Sequence, residues 1–354
     1  MVAVATFPSG NNTFVKDHES SGKLVINYSR NPNKFALNRY IQIIPVKKTA
    51  GYYLDMTVEE AGRLLNSDGA EFNFPDGADA PTGADGTESF VFKDFKTIRK
   101  AYAVRLGELA VEQAGWNISD AHLAIKAQQA MTSRTQDVVT ALTNSGNFPA
   151  SHVAACSAIS LGGVSNSGTM AASTTARQDI KRALNYAALQ IITDTLGAVD
   201  ETMLRVVLGP TDAAAIAECQ EIVDHIKGSP EALAQVRGDL PGKNSRFGLP
   251  DKLYGYEIVV EDAVKTTSRK GATAAKQFIW PSGSLLVCSQ VGGLVGVADT
   301  PNFSTGCLFV YEKDEMAVET QHDVWNKRHD ARILDNRQAK VVAPASGFLI
   351  TGIT

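Results

Sequence analysis

Six histidines (His18, His122, His152, His225, His322 and His329) are scattered through the chain, and no HExxH pair is among them. His322-Asp323 and His329-Asp330 form two similar dipeptides seven residues apart, which could serve a metal or acid–base site; solvated surface groups account for them better. Gly163-Val164-Ser165-Asn166-Ser167 stops one residue short of a nucleophile elbow, because Ser167 stands where the second glycine belongs. A serine-type hydrolase would have to combine Ser165, His152 and an acid, but a loop of small residues is not the strand-to-helix turn that chemistry needs. Gly292, Gly293 and Gly296 make neither GxGxxG nor a phosphate loop, and read as turn and close-packing positions. The acids Asp76, Asp79, Asp85 and Glu88 lack the 1-3-5 ligand rhythm of a calcium loop and read as a solvated acidic tip. Cys156, Cys219, Cys288 and Cys307 lie far apart without a CxxC, as buried reduced thiols would. These residues support no catalytic, metal or cofactor site, so the expectation is a protein without catalysis and without a cofactor.

The chain around these residues is ordinary globular material. It has 354 residues, 44% hydrophobic and 20% charged, enough for a sizeable core and, by length, about two domains. A net charge of −4 argues against a nucleic-acid binder held by bulk charge. The start lacks a basic, apolar secretory signal. The charge-free stretch 277–298 is long enough to span a bilayer, but its prolines, serines and glycines fit short buried strands better, so no membrane partner is expected.

Charge divides the first third into blocks. Residues 1–48 carry seven basic residues against Asp17 and Glu19, with few periodic apolar positions, which describes an arm that cannot bury itself alone, with a short strand over Tyr40–Val46. Residues 49–92 carry nine acids against Arg63, around a Pro-, Gly- and Asp-rich centre. Tyr52–Met56 and Phe90–Arg105 flank that centre as the two strands of a projecting hairpin, marginal by itself and in need of a partner surface.

Ile118–Leu142 is the clearest helix, with Ala121, Ala124, Ala127 and Ala130 on a face of small side chains and Asp120 in its first turn. The uncharged stretch 146–176 reads as an irregular crossover. A helix follows over Arg177–Leu196, then a buried strand over Met203–Leu208, a helix over Asp212–Ile226 and a strand over Tyr256–Val260. Phe278–Trp280, Leu285–Val287, Leu294–Val297, Leu308–Tyr311, Met316–Thr320 and Lys340–Val342 complete a β-rich end. The fold class is α+β.

This order of blocks resembles the major capsid proteins of tailed phages with the Hong Kong ninety-seven fold: N-terminal arm, extended E-loop, long spine helix, axial α/β domain, and a return to the strands of the peripheral domain. Leu204-Arg205-Val206-Val207-Leu208-Gly209-Pro210 is similar to that family's strand, break and helix. Leu253 to Asp262 resembles its L-x-G-x-P-V strand, with Glu257 in place of the proline. Val324 to Val342 resembles its closing segment. The resemblance implies an arm at 1–48, an E-loop at 49–105, spine helix and peripheral elements at 106–176, an axial domain at 177–305 and peripheral return strands at 306–354.

It further implies a self-assembling icosahedral shell of hexamers and pentamers around a double-stranded DNA genome, built in the host cytoplasm and kept in the virion. An encapsulin-like compartment shell is the alternative within the fold. Its partners would be itself, a portal, a separate scaffolding protein and packaged DNA without sequence-specific contacts. With 117 residues before the long helix, no large scaffold segment is expected to be cut from the N-terminus. The family's namesake joins an E-loop lysine to a neighbour's asparagine; here 64–92 holds neither lysine nor arginine, so noncovalent contacts are expected. Asp76, Asp79, Asp85 and Glu88 at the tip would then dock on Lys327, Arg328 and Arg332 of a neighbour.

Overall fold

The computed structural model describes residues 35–56, 90–113, 118–171, 177–227, 247–269, 271–290 and 304–354. In chain order the strands begin with β1 (Gln42–Val46), β2 (Ala50–Met56), β3 (Phe90–Lys96) and β4 (Ile98–Gly107). Helices α1 (Glu108–Gln113) and α2 (Ile118–Leu142) follow, then the short strands β5 (Val153–Ala155), β6 (Ser160–Leu161) and β7 (Val164–Ser165). Next come α3 (Asp179–Asp194), β8 (Leu204–Leu208), α4 (Pro210–Ala217) and α5 (Gln220–Lys227). The remaining strands are β9 (Lys252–Leu253), β10 (Tyr256–Val260), β11 (Val264–Thr266), β12 (Lys276–Phe278), β13 (Ser284–Ser289), β14 (Gly306–Tyr311), β15 (Ala317–Asp323), β16 (Arg328–Val341) and β17 (Gly347–Thr351).

In a six-stranded sheet of order β5-β17-β13-β8-β10-β9, the four inner strands are buried on both faces. Burial on both faces explains why Leu204–Leu208 and Ser284–Ser289 are near-continuous apolar runs rather than alternating ones. Val206, Leu208, Ile258, Val287, Phe348 and Ile350 face Ile180, Leu184, Ala187 and Ile191 of α3. The opposite parity, Val207, Val259, Leu286, Cys288 and Leu349, packs with Val138, Val139 and Leu142 of α2 and with Phe35, Leu37 and Tyr40. Helix α3 is capped at long range: the Glu221 carboxylate accepts from the N–H groups of Ile180 (2.9 Å) and Lys181 (3.2 Å), where the dipole favours an anion.

The other large sheet has five strands. β14 lies between β1 and β16, and β16 is also paired with β15 and β4. Gly306 lets α2 close onto it, since a Cβ there would lie 2.8 Å from Leu142 Cδ2.

Several expectations hold and several need correction. Helix 118–142 and strand 256–260 match residue for residue, while the helix expected over Asp212–Ile226 is broken into α4 and α5 around Cys219. The expected flank Phe90–Arg105 is two strands. It changes partner at the buried Thr97, whose N–H donates to Thr49 O: β3 pairs with β2, and β4 pairs with β16. Part of the block read as an unburied arm is core, because Phe35, Leu37, Tyr40, Ile41 and Ile44 are all buried. Arg39 Nη2 and Arg205 Nε both reach Glu257 (2.7 and 3.2 Å), and Tyr40 Oη donates to Glu261 (2.9 Å), tying that segment to the six-stranded sheet. The hairpin base has an intrachain partner too. Phe95 and Tyr53 stack on Phe309 of β14 at 4.7 and 5.9 Å between ring centres. Gly51 permits this, since a Cβ there would meet the Phe95 ring at 2.9 Å. The Lys340–Val342 strand is the end of a fourteen-residue β16, and β17 was not expected at all. Within the crossover 146–176, the described residues contain three short strands and the turn Gly162-Gly163, both at positive φ, joining β6 to β7. Residues 1–34, 57–89 and Leu294–Val297 lie outside the described residues.

Candidate functional site

Helix α2 lies on the β4–β16–β15 platform, held by charge as well as by apolar packing. Arg134 lies under the helix, with Nη2 and Nε donating to the two oxygens of Asp335 at 2.8 and 3.2 Å. Asp335 also pairs with Arg337, which is itself fully buried. Arg337 Nε donates to Asp137 (3.0 Å) and Nη2 to Ser133 (2.9 Å), while Lys100 Nζ closes the far side of Asp137 at 2.6 Å. Burial opposes the Arg337 charge, but Asp335, Tyr102 and Asp137 together more than compensate, and its proton is held more firmly than usual. With Glu315 3.6 Å from Arg134, the network holds three cations and three anions. Such a set binds little as a whole but is costly to break at its centre, because deleting Asp335 strands the buried Arg134 and Arg337.

The other face of the platform is a ladder of exposed and half-exposed pairs. The register places Arg332 between Ala103 and Glu319, Asp330 between Arg105 and Gln321, and Arg328 between Gly107 and Asp323. Arg332 Nε donates to Glu319 (2.6 Å), Arg328 pairs with Asp323 (3.1 Å) and Asp330 (3.2 Å), and Arg105 approaches Asp330 at 3.9 Å. A shallow concavity of about 540 Å³ lies on this face. Arg328 and Arg332, expected to form a basic patch, are thus already paired within the chain, and Lys327 stands 3.6 Å from Glu108. Asp76, Asp79, Asp85 and Glu88 lie outside the described residues.

The two histidine dipeptides do meet. His322 and His329 are direct cross-strand partners with rings stacked 4.5 Å apart, and His322 Nε2 lies 3.5 Å from Glu108. Sequence spacing alone does not show this; it follows once residues 323–328 are a hairpin turn. Among the described residues no group of three or more His, Cys, Asp or Glu could hold a metal ion.

The hydrolase constellation fails at its histidine. His152 is buried, with Nδ1 2.7 Å from Gly347 O and Nε2 2.7 Å from Asp194 Oδ2, so both ring nitrogens face acceptors and neither faces a serine. Burial pushes the Asp194 carboxyl up, and hydrogen bonds from His152 and Gln190 overcome it, leaving it below the usual carboxylate range. The elbow-like loop is a helix anchor. Ser167 donates from N and Oγ to Asp179 at 3.2 and 2.7 Å, and Arg182 bridges Asn166 and Asp179. Burial also raises the Asp179 carboxyl, and Ser167 and Arg182 outweigh it, so it too lies low. All four cysteines are buried free thiols, with Cys288 and Cys307 pushed up to about 12 by burial. Among the described residues no helix is long and apolar enough to cross a membrane.

No protein-family model and no curated protein matches this chain. Solved structures do. A phage-related protein from Bordetella bronchiseptica RB50 is similar over 89% of this chain and 91% of its own, with 12% identity and a TM-score of 0.57. The capsid of cyanophage P-SCSP1u aligns over 97% and 94%, with 11% identity and a TM-score of 0.57. The capsid of a native GTA particle aligns over 98% of both chains, with 12% identity and a TM-score of 0.54. Two sheets sharing one core, a long helix along the second sheet and near end-to-end alignment with capsid chains give this protein the Hong Kong ninety-seven capsid fold.

Proposed function

We propose that this chain is a major capsid protein that self-assembles into an icosahedral shell enclosing the double-stranded DNA genome of a phage, without catalysis. One observation carries the reading: the fold match to capsid chains runs over 97–98% of this sequence and over nearly all of theirs. The blocks then take the roles of arm (1–48), E-loop (49–105), spine helix and peripheral elements (106–176), axial domain (177–305) and peripheral return strands (306–354). Its partners are further copies in hexamers and pentamers, a portal, a separate scaffolding protein, and DNA held without base-specific contacts. Assembly takes place in the host cytoplasm, and the product is the virion.

Contact between the acidic tip and Lys327, Arg328 and Arg332 of a neighbour belongs to the same proposal. Because those cations already have intrachain acids, docking would proceed by exchange of partners within a neutral ladder, which sets register more than it adds affinity. Electron microscopy of the purified protein, expressed alone and with its scaffolding partner, is the test. Closed particles are expected. Boiled, reduced particles should run as a single band at monomer mass, since the tip span has no lysine for a covalent link. A protein that stays monomeric in both preparations, or one that turns over an ester probe, contradicts the reading.

A further inference from the structure

The cations of the β15–β16 ladder each have an acid within the chain. The β11–β12 hairpin is different. From Ala263 to Ala298 the sequence has no Asp and no Glu, yet it carries Lys265, Arg269, Lys270 and Lys276. Arg269 and Lys276 are exposed, and among the described residues no carboxylate pairs with either of them or with Lys265. Lys265 Nζ donates instead to the neutral Gln136 Oε1 of α2 at 2.6 Å.

The acids nearest the hairpin are engaged elsewhere. Glu261 is buried and accepts from Tyr40 Oη and Ala263 N at 2.9 and 3.1 Å. Asp262, just before the base, is half-buried and has an interaction of its own. On α2, Asp137 is held by Lys100 and Arg337, while Lys126 adds a further cation whose Nζ donates to Gln129. A concavity of about 530 Å³ lies between α2 and the hairpin. Its polar side chains, Gln128, Gln129, Thr132 and Gln136 among them, include amides and hydroxyls and no carboxylate.

The ribbon is fixed by its own bonds. Lys265 pairs with Gln277 and Thr266 with Lys276 in antiparallel register. Thr267 N donates to Ala275 O (2.9 Å), Ala275 N to Ser268 Oγ (3.2 Å) and Ala272 N to Arg269 O (3.1 Å), with Gly271 at a φ of 91°. The cations therefore stand on a preformed support, and little ordering is left to be lost on binding.

Composition decides what covers it. Val264 and Phe278 form an exposed apolar pair at the base, and beyond them the described residues are Lys, Thr, Ser, Arg, Gly, Ala and Gln alone. A protein partner calls for aromatic or large apolar anchors, and lysine is depleted in such interfaces. A phosphate backbone calls for what is present: unpaired cations, hydroxyl and amide donors, and small residues that let the backbone approach. The net charge of −4 does not oppose this, since screening at physiological salt confines exposed charges to a range of about 8 Å.

We propose that the β11–β12 hairpin, through Lys265, Arg269 and Lys276, contacts the phosphate backbone of double-stranded DNA without reading its sequence. This rests on the reading of the chain as a genome-enclosing shell and adds to it the residues that meet the genome.

The test measures binding of the full chain to short mixed-sequence duplex DNA by fluorescence anisotropy over a salt series. Arg269→Gln with Lys276→Gln should weaken binding roughly tenfold or more at low salt and lower the slope of log K against log salt by about 2. Lys252→Gln with Lys313→Gln removes the same charge from exposed positions elsewhere and should leave affinity unchanged. Both double variants should keep the parent's unfolding midpoint and its particle yield. Equal losses from the two double variants, or a wild-type chain that does not bind the duplex, overturn the inference. So does wild-type protein that binds polyglutamate of matched charge more tightly than the duplex, which would make an acidic protein segment the partner. In each of these cases normal particles leave the shell reading intact. Wild-type protein that forms no particles and binds no duplex overturns both.

Discussion

The two large sheets are stabilised by different physics. The six-stranded sheet buries Val207, Leu286 and Leu349 on one face and Val206, Val287 and Ile350 on the other, and gains from apolar burial throughout. In the five-stranded sheet, β16 turns Asp335 and Arg337 toward α2 and Asp330 and Arg332 away from it, so both faces of its central strand carry paired charge. The first sheet is a scaffold whose surfaces are used up inside the chain. Among the described residues, the second leaves one face of paired charges and the exposed Val324 and Trp325 at the surface.

The contrast can be broken in order of expected effect. Asp335→Ala strands Arg134 and Arg337 in the interior and should cost roughly 3–5 kcal/mol of stability in chemical denaturation. Leu286→Ala leaves a cavity in the six-stranded sheet at a cost of about 2–5 kcal/mol, and this loss should not depend on salt. Arg332→Ala should change subunit stability by only about 0–1 kcal/mol, because its pair with Glu319 is half exposed, and raised salt should erase even that. If Asp335→Ala proves neutral, the buried network is not what pins the long helix.

The same contrast explains what could be read from the sequence. Helix 118–142 and strands 204–208 and 256–260 announce themselves because apolar period and burial coincide there. Strand β16 does not. At the two positions where alternation would put apolar residues against α2, the sequence has Asp335 and Arg337, and only their partners Arg134 and Asp137, some 200 residues away, make those positions interior. The stacked His322 and His329 were visible as a repeat of seven, but not as a contact, until the turn between them was placed. The site residues Lys327, Arg328 and Arg332 were visible as cations, while Glu108, Glu319, Asp323 and Asp330, which neutralise them, come from pairing register that one sequence does not display.

A smaller effect tests the junction of α3 with β17. Asp179 and Asp194 both have depressed carboxyls, so each contributes stability that is present above the unfolded value near ~3.9 and lost as pH falls through its lower folded value. Acid unfolding should begin below about pH 4, and Asp194→Asn should lower the neutral-pH plateau and flatten that limb of the profile. Asp212 has the opposite sign: burial raises it, so its contribution declines as pH rises through that value, and Asp212→Asn should remove the decline.

The most direct measurement of the central claim is the mass distribution of the purified chain, alone and with the proposed scaffolding protein, by sedimentation velocity at near-physiological salt. Closed shells predict one fast, narrow boundary at many times monomer mass, which loosens toward subunits as salt is raised. A single slow boundary at monomer mass under every condition, from protein that is folded by circular dichroism, would contradict the account.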